Sequence, residues 1–388
     1  MNKLILNKKV VIMEENAEMT REKLEYLFKR KHERPGDVFM QLLKQNRPVV
    51  CASVYHAMGA KEARLVKEKR AAVGLPSEYN AIYLGGYAVS GMLWGLPDNG
   101  FHDLSMMTLV GKFVVLQAYP MPVLMDAETG FGNGTTLTRT VQEYHNLGVG
   151  LAHMEDQVFE DPYDGDATRS CGNQGGKTTI SIRAMGKKVK SWLETSDIIG
   201  TSMGLIVRTD SLTAVGGGIK EVIERGKHYL SVEVNGRRPI GFWVDALIKP
   251  EEIEQLKTEM RRFDPNVVLC INNSPNKDWP AHYREYYKRE PPTYAELYDN
   301  GKGFNIIHHT IMDMRAHLEA SWITFEDQAE NGNKALYDLQ DRQRGRPYDN
   351  AHIMTDTHLY QEYQKHIGGE SAKKRFDQSK GFGGKELI

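Results

Sequence analysis

Eight short apolar runs, spaced along a 388-residue chain, constrain the fold more than any other feature. They are Val49–Ser53, Ala81–Gly85, Pro122–Asp126, Gly150–Glu155, Leu205–Asp210, Gly241–Ala246, Val267–Asn272 and Phe304–His309. Most are rich in Val, Ile, Leu or aromatic residues, and their length suits parallel strands buried on both faces. Between them lie stretches with helical character: Thr136–Leu147, Ile180–Thr195, Ile219–Leu230 and Lys249–Phe263. Strands alternating with helices predict an α/β chain, a closed (β/α)8 TIM-type barrel with extra N-terminal and C-terminal helices. The alternative is an open doubly wound sheet, which would be favoured if two of the runs failed as strands.

The flanks read differently. Residues 15–46 look helical, from Glu15 to Lys31 and from Asp37 to Gln45. After about residue 312, Asp313–Leu339 reads as one long helix, Arg342–Tyr348 as a polar break and Thr355–His366 as a further helix. The Gly- and Lys-rich tail Ser371–Ile388 reads as loose or partner-bound. The expected division is a helical segment over 1–45, a catalytic barrel over 46–312 and a helical segment over 313–388.

Charge excludes some partners. Lys plus Arg (50) nearly balances Asp plus Glu (51), so nothing calls for nucleic acid or an anionic membrane as the main partner. No apolar stretch approaches a membrane span, and the N-terminal run is too short for a signal peptide. Three cysteines, Cys51, Cys171 and Cys270, are too few for a disulfide framework, which makes the cytoplasm the expected compartment.

In such a barrel the carboxyl ends of the strands form the active-site face. Strand three ends in Asp126-Ala127-Glu128, strand four in Glu155-Asp156-Gln157 and strand five in Arg208-Thr209-Asp210. Strand six carries Asp245, strand seven ends in Asn272-Asn273-Ser274-Pro275-Asn276, and strand eight ends in His308-His309-Thr310. A single Asp after a strand is usually a turn residue or a helix cap. Six strands sending polar groups to one rim point to a site. Asp126, Glu128 and Glu155 could converge with Asp98 and Asp245. Such a group would repel itself without a cation. Oxygen donors lacking paired His or Cys favour Mg2+, with Mn2+ the second choice, over Zn2+. Asp126 is the expected direct ligand, the other carboxylates holding metal-bound water.

Gly130, Gly132 and Gly134 could let backbone approach an anion, or simply make a tight turn. Cys171 stands in the polar, Gly-rich run Ser170–Lys177, which reads as a mobile loop over the rim. There it suits a thiol acid or thiolate base, with Lys177 or Arg169 able to lower its pKa. Cys51 and Cys270 sit inside apolar runs and read as buried and inert. His308 and His309 are adjacent strand residues, so one should face the barrel and the other the helices. Trp192, Trp243 and Trp322 read as packing, Lys187–Lys190 as a solvated helix face, and Tyr283, Tyr286 and Tyr287 as part of a polar insertion.

Asp126-Ala127-Glu128-Thr129-Gly130-Phe131-Gly132, Glu155-Asp156-Gln157 and Cys171-Gly172-Asn173-Gln174-Gly175-Gly176-Lys177 together resemble the isocitrate lyase and phosphoenolpyruvate mutase superfamily. Gly85–Val89, Leu96–Asp98, Arg208–Asp210 and Asn272–Trp279 support the match, in the family's order over roughly 45–310. The Asn-Ser-Pro stretch to Trp279 and the Leu339–Arg342 segment look closer to isocitrate lyase than to the mutases. The resemblance implies Asp126 as the main Mg2+ ligand, with Asp98, Glu128 and Glu155 around its waters. It implies that Gly85, Gly86 and Tyr87 cradle a 2-oxo acid and that Arg208 binds a carboxylate or carbonyl oxygen. Asn272, Ser274 and Asn276 would bind a second carboxylate, and Cys171 would exchange a proton with the enolate-like half. A homotetramer exchanging C-terminal helices is also implied.

Five positions depart from the isocitrate lyase pattern. Asn173 replaces a His in the cysteine loop and cannot serve the thiol as a proton partner. Tyr87 stands for Trp, Asp245 for Glu, Asn276 for Ser, and His308 for a Thr that would touch the substrate carboxylate. These bear on substrate choice, isocitrate included, and leave the metal set and Cys171 in place. The expected activity is a Mg2+-dependent carbon–carbon lyase acting on a 2-hydroxy di- or tricarboxylate. Catalysis would fall to Cys171, Arg208, Glu155 and Asn173, with Glu155, Asp245, Tyr87 and a metal-bound hydroxide as alternatives for the base. Two other classes are an oxo-diacid hydrolase on the same site and a non-catalytic carboxylate-binding barrel.

Overall fold

The computed structural model describes residues 19–28, 31–158 and 175–378. All eight runs are strands: β1 (Val49–Val54), β2 (Ala81–Leu84), β3 (Val123–Asp126), β4 (Leu151–Met154), β5 (Gly204–Thr209), β6 (Gly241–Val244), β7 (Val268–Asn272) and β8 (Ile306–His308). They pair in sequence order, and β1 pairs in parallel with β8 through Val49↔Ile306 and Cys51↔His308 to close the barrel. The open-sheet alternative is thereby excluded.

Two layers of apolar packing hold the barrel. Inside it, Val49, Cys51, Ala81, Tyr83, Leu124, Leu151, Ile206, Trp243, Cys270 and Ile306 form one cluster. Outside it, the other strand faces meet the helices. The helix Ile219–Leu230 shows why the sequence folds this way. Val222, Ile223, Gly226, Tyr229 and Leu230 are buried, one stripe at helical spacing. The helix Ile182–Ile198 starts where the Ser181 side chain accepts from the Ala184 amide at 3.1 Å, and buries Met185, Val189, Trp192 and Leu193. Among the longer helices, Ala57–Ala72, Gly86–Trp94 and Leu104–Ala118 were not singled out from sequence. The first has a weak stripe, and the last two are too uniformly apolar for periodicity to distinguish helix from buried strand.

The helix Pro35–Leu43 covers the amino-terminal mouth of the barrel. Its Phe39 is fully buried in the interior cluster. Gly36 donates its amide to Ser202 Oγ at 3.1 Å, and a Cβ there would come within 1.7 Å of the Ser202 carbonyl oxygen. Only glycine permits that approach.

The described chain forms two compact units, one spanning Lys31–Arg315, the other made of the N-terminal residues up to 28 and those from Ala316 onward. In the second, Lys23 Nζ lies 2.6 Å from Glu362 Oε2 and the Phe28 ring meets Tyr363 edge-on. The expected single helix Asp313–Leu339 is two, Met312–Asn331 and Asn333–Gln343, parted at Gly332 (φ 57, ψ −130). The last helix runs Thr357–Gln378 through a kink at Gly369, so Ser371–Gln378 is helical rather than loose. Trp322 is also corrected: it is 69% exposed and packs no core, unlike the buried Trp192 and Trp243. Among the described residues no helix is long and apolar enough to cross a membrane.

Candidate active site

One cavity, with a volume of about 80 Å3 and open to solvent, occupies the carboxyl ends of the strands. Gly85, Gly86, Tyr87, Asp98, Asp126, Glu128, Glu155, Arg208, Asp245, Asn272, Ser274 and Asn276 all line it. Residues far apart in sequence meet here because each follows a strand of the same closed barrel.

Asp126 ends β3, and its carboxylate is held by backbone. Oδ2 accepts from the Gly86 amide at 3.0 Å and Oδ1 from the Glu128 amide at 2.8 Å. Glu128 itself has φ 53, a left-handed conformation that a non-glycine residue adopts at a cost. This turn aims its carboxylate at Gly86, where a Cβ would stand 1.8 Å from Glu128 Oε1. The same oxygen lies 2.7 Å from Nε2 of the buried His102. Sequence reasoning missed His102, which belongs to no motif.

Arg208 is the electrostatic centre. It extends from β5 over the Trp243 ring, 4.6 Å from its centroid. Its Nη2 lies 2.9 Å from Asp210 Oδ1 and 3.4 Å from Asp245 Oδ1, and Nη1 lies 3.3 Å from Glu155 Oε2. Burial opposes its charge, but Asp210, Asp245 and Glu155 together hold its pKa well above the ordinary value. Burial dominates for Glu155 and Asp245, raising both carboxyls despite Arg208. Asp210 is lowered: burial works against it, and Arg208, Lys177 and Gln157 outweigh burial. Lys177 is fully buried, with Nζ 3.5 Å from Asp245 Oδ2. It therefore serves this network, a position its Gly-rich context did not suggest.

The Glu155-Asp156-Gln157 motif divides its labour. Glu155 faces the cavity. Asp156 points into the wall, where Oδ2 accepts from Thr209 Oγ1 (2.7 Å), the Tyr229 hydroxyl (2.9 Å) and Arg225 Nη1 (3.0 Å). Gln157 Nε2 donates to Asp210 Oδ2.

His308 is placed differently from expectation. It is fully buried inside the barrel, stacked on Tyr83 and edge-on to Trp243, beneath the cavity rather than on its wall. Thr310, two residues on, lines the cavity instead. His309 faces outward, its Nε2 2.9 Å from the Tyr294 hydroxyl. The Thr129–Gly134 loop is a tight turn. The Gly130 amide donates to the Ala127 carbonyl at 2.6 Å, and Asn133 Oδ1 accepts from the amides of Thr135 and Thr136. Cys171, Asn173 and Arg169 lie outside the described residues. Cys51 and Cys270 are buried, and burial pushes both thiols up, away from thiolate.

Among the described residues, no three acidic, His or Cys side chains already stand as a ready chelate. Five carboxylates nonetheless line one cavity, which suits a hard cation held by one carboxylate and by waters that the others orient. The residues fit Mg2+ in that mode.

The sequence profile of the family described as Phosphoenolpyruvate phosphomutase matches residues 39–274. An isocitrate lyase of Haloferax volcanii is 25% identical over 349 residues, which span 88% of this chain and 89% of that protein. Among solved structures, a 2,3-dimethylmalate lyase superposes with a TM-score of 0.69 at 19% identity, covering 87% of this chain and 97% of the other. A phosphonopyruvate hydrolase, solved with oxalate and Mg2+, gives 0.58 at 17% identity, over 81% and 97%. These likenesses show the barrel fold, and the family profile spans well over half the chain. The chain belongs to the phosphoenolpyruvate mutase and isocitrate lyase superfamily of carbon–carbon lyases and related hydrolases.

Proposed function

We propose that this chain is a Mg2+-dependent carbon–carbon lyase that cleaves a 2-hydroxy di- or tricarboxylate into a 2-oxo acid and a carboxylate. The observation that carries the reading is Arg208, buried beside Glu155, Asp210 and Asp245 in the same cavity as Asp126. A guanidinium so held is a fixed positive charge that needs no reorganisation when negative charge develops on a substrate oxygen.

Asp126 would hold the cation directly, with Asp98, Glu128, Glu155 and Asp245 about its water shell. When bound, Mg2+ supplies Lewis-acid polarisation of the substrate's oxygens. The chain's own residues do the rest. Gly85, Gly86 and Tyr87 cradle the 2-oxo acid half, and Arg208 binds its carboxylate or nascent carbonyl oxygen. A base removes the hydroxyl proton, and Glu155, Asp245 and Tyr87 are the chain's own candidates. The C–C electron pair then passes to the leaving half as an enolate-like carboxylate. Cys171 delivers a proton to that carbon, and the thiolate recovers one from solvent, so the reaction is redox-neutral. Asn272, Ser274 and Asn276 hold the departing carboxylate. With Thr310 on the wall and His308 beneath it, Thr310 takes the contact first expected of His308. Exposed Trp322, Ile323, Phe325, Leu336 and Tyr337 on the C-terminal helices support their packing against other copies in a homotetramer.

The test is product analysis of purified protein with Mg2+. Isocitrate, methylisocitrate, substituted malates and oxaloacetate are offered, and released 2-oxo acids are trapped with phenylhydrazine. A 2-oxo acid released by the native chain, and by neither a chelated sample nor Cys171→Ser, supports the lyase. Cleavage of oxaloacetate alone would replace it with the hydrolase. Metal binding without turnover of any compound would count against both.

A further inference from the structure

The cavity is chemically lopsided. Its carboxylates come from the β2, β3, β4 and β6 side, whereas the β7–β8 side presents Asn272, Ser274, Asn276, Lys277 and Thr310, with no acid among them. Three acceptors on that second side are already engaged. Asn272 Oδ1 accepts from the Thr310 amide at 3.3 Å, and Ser274 Oγ from the Asn276 amide at 3.4 Å. The Ser274 carbonyl oxygen accepts from Trp279 Nε1 at 2.8 Å. What remains to face a ligand is mostly donors: the Asn272 amide N–H groups, the hydroxyl protons and an ammonium. A wall rich in donors that includes an ammonium binds an anion in preference to an alcohol or an amide.

Lys277 adds full charge to that wall. It is half-buried, lines the cavity and has no ion-pair or hydrogen-bond partner for its ammonium among the described residues. Nearby Asp278 is occupied elsewhere, its Oδ1 accepting from the Ala281 amide at 3.0 Å. A solvated surface lysine would be unremarked, but a half-buried ammonium that pairs with none of the five carboxylates lining its own cavity is placed to meet a charge on a ligand.

We infer that Lys277 is a specificity-determining residue, whose ammonium pairs with a carboxylate on the half of the substrate that departs. The substrate class narrows accordingly. The compound carries one carboxylate beside its hydroxyl and another at the far end, and analogues ending there in a methyl group or an amide are poor ligands. This rests on the reading of the cavity as the substrate site of a lyase.

The experiment reads binding as well as turnover. Calorimetric affinities are measured with Mg2+ present for succinate and for butyrate, which matches its length but lacks the second carboxylate. The native chain, Lys277→Gln and Lys277→Arg are compared, each checked for an unchanged melting temperature. The native protein should prefer succinate by about tenfold or more, the worth of one charge-assisted contact. Lys277→Gln should lose most of that preference, and Lys277→Arg should keep it. Equal affinity of the native chain for both compounds would overturn the inference, as would a preference that survives in Lys277→Gln. If the preference is present, and lost in Lys277→Gln, while the substrate panel shows no cleavage, the lyase reading falls and the role of Lys277 stands.

Discussion

Nε2 of His102 sits 2.7 Å from Oε1 of Glu128, both side chains buried, and Glu128 reaches that position only through a left-handed backbone turn. His102 thus restrains a carboxylate that the proposed function places on the metal's water shell. Groups that orient metal-site ligands typically govern affinity by about 10–100-fold. His102→Ala should weaken Mg2+ binding by an amount in that range, read by calorimetric titration, and His102→Gln should recover part of it. Unchanged affinity in His102→Ala would mean that the pair is only packing.

The wall network predicts a stability effect. Asp156 is fully buried and accepts from Thr209, Tyr229 and Arg225. Asp156→Ala would leave the Arg225 guanidinium buried without that partner, a loss of about 3–5 kcal/mol. Urea unfolding should show the drop, and a loss under about 1 kcal/mol would argue that Arg225 finds water or Glu221 instead.

Acid should loosen the barrel through its central imidazoles. Burial holds His308 well below the ordinary His value and His153 down to about 4, so both are neutral in the folded chain at pH 7. The unfolded chain takes up these protons near pH 6.5. The stability linked to them is therefore fully present above about pH 6.5 and declines as the pH falls toward the folded values. Melting temperatures between pH 7 and 4.5 should fall less steeply in His308→Gln than in the native protein. Parallel curves would remove His308 from the acid response.

Thiol chemistry offers a fourth check. Cys51 and Cys270 are buried and shifted away from thiolate. In a Cys171→Ala chain at pH 8, a thiol-reactive dye should label nothing until denaturant is added, and then label two groups. Rapid labelling of the native variant would show that the barrel interior opens readily.

The strands were legible because parallel barrel strands are buried on both faces and read as unbroken apolar runs. The rim acids were legible because they follow those runs directly. His102 was not, because it arrives through a polar connection whose position depends on the helices around it. Lys177 read as part of a loop, and only the folded chain shows it fully buried against Asp245. Lys277 was hidden inside a motif read for its neighbours. His308 was aligned to the cavity although, as a strand residue pointing inward, it fills the barrel one layer lower than Thr310. Gly332 gave the helix break after residue 331 no clear mark, since a lone glycine is tolerated in many helices.

The helix Pro35–Leu43, with Phe39 driven into the barrel floor, has a consequence for how such a protein can change over time. With the amino-terminal mouth stoppered, small molecules come and go only by the carboxyl-terminal mouth. Alterations at Gly36 or Phe39 are then felt as folding defects, while alterations at positions such as Tyr87, Asn276 or Lys277 are felt as changed preference. The two ends of one barrel answer to separate selective pressures, so a lineage can explore new compounds at the open end without renegotiating the foundation on which the strands stand.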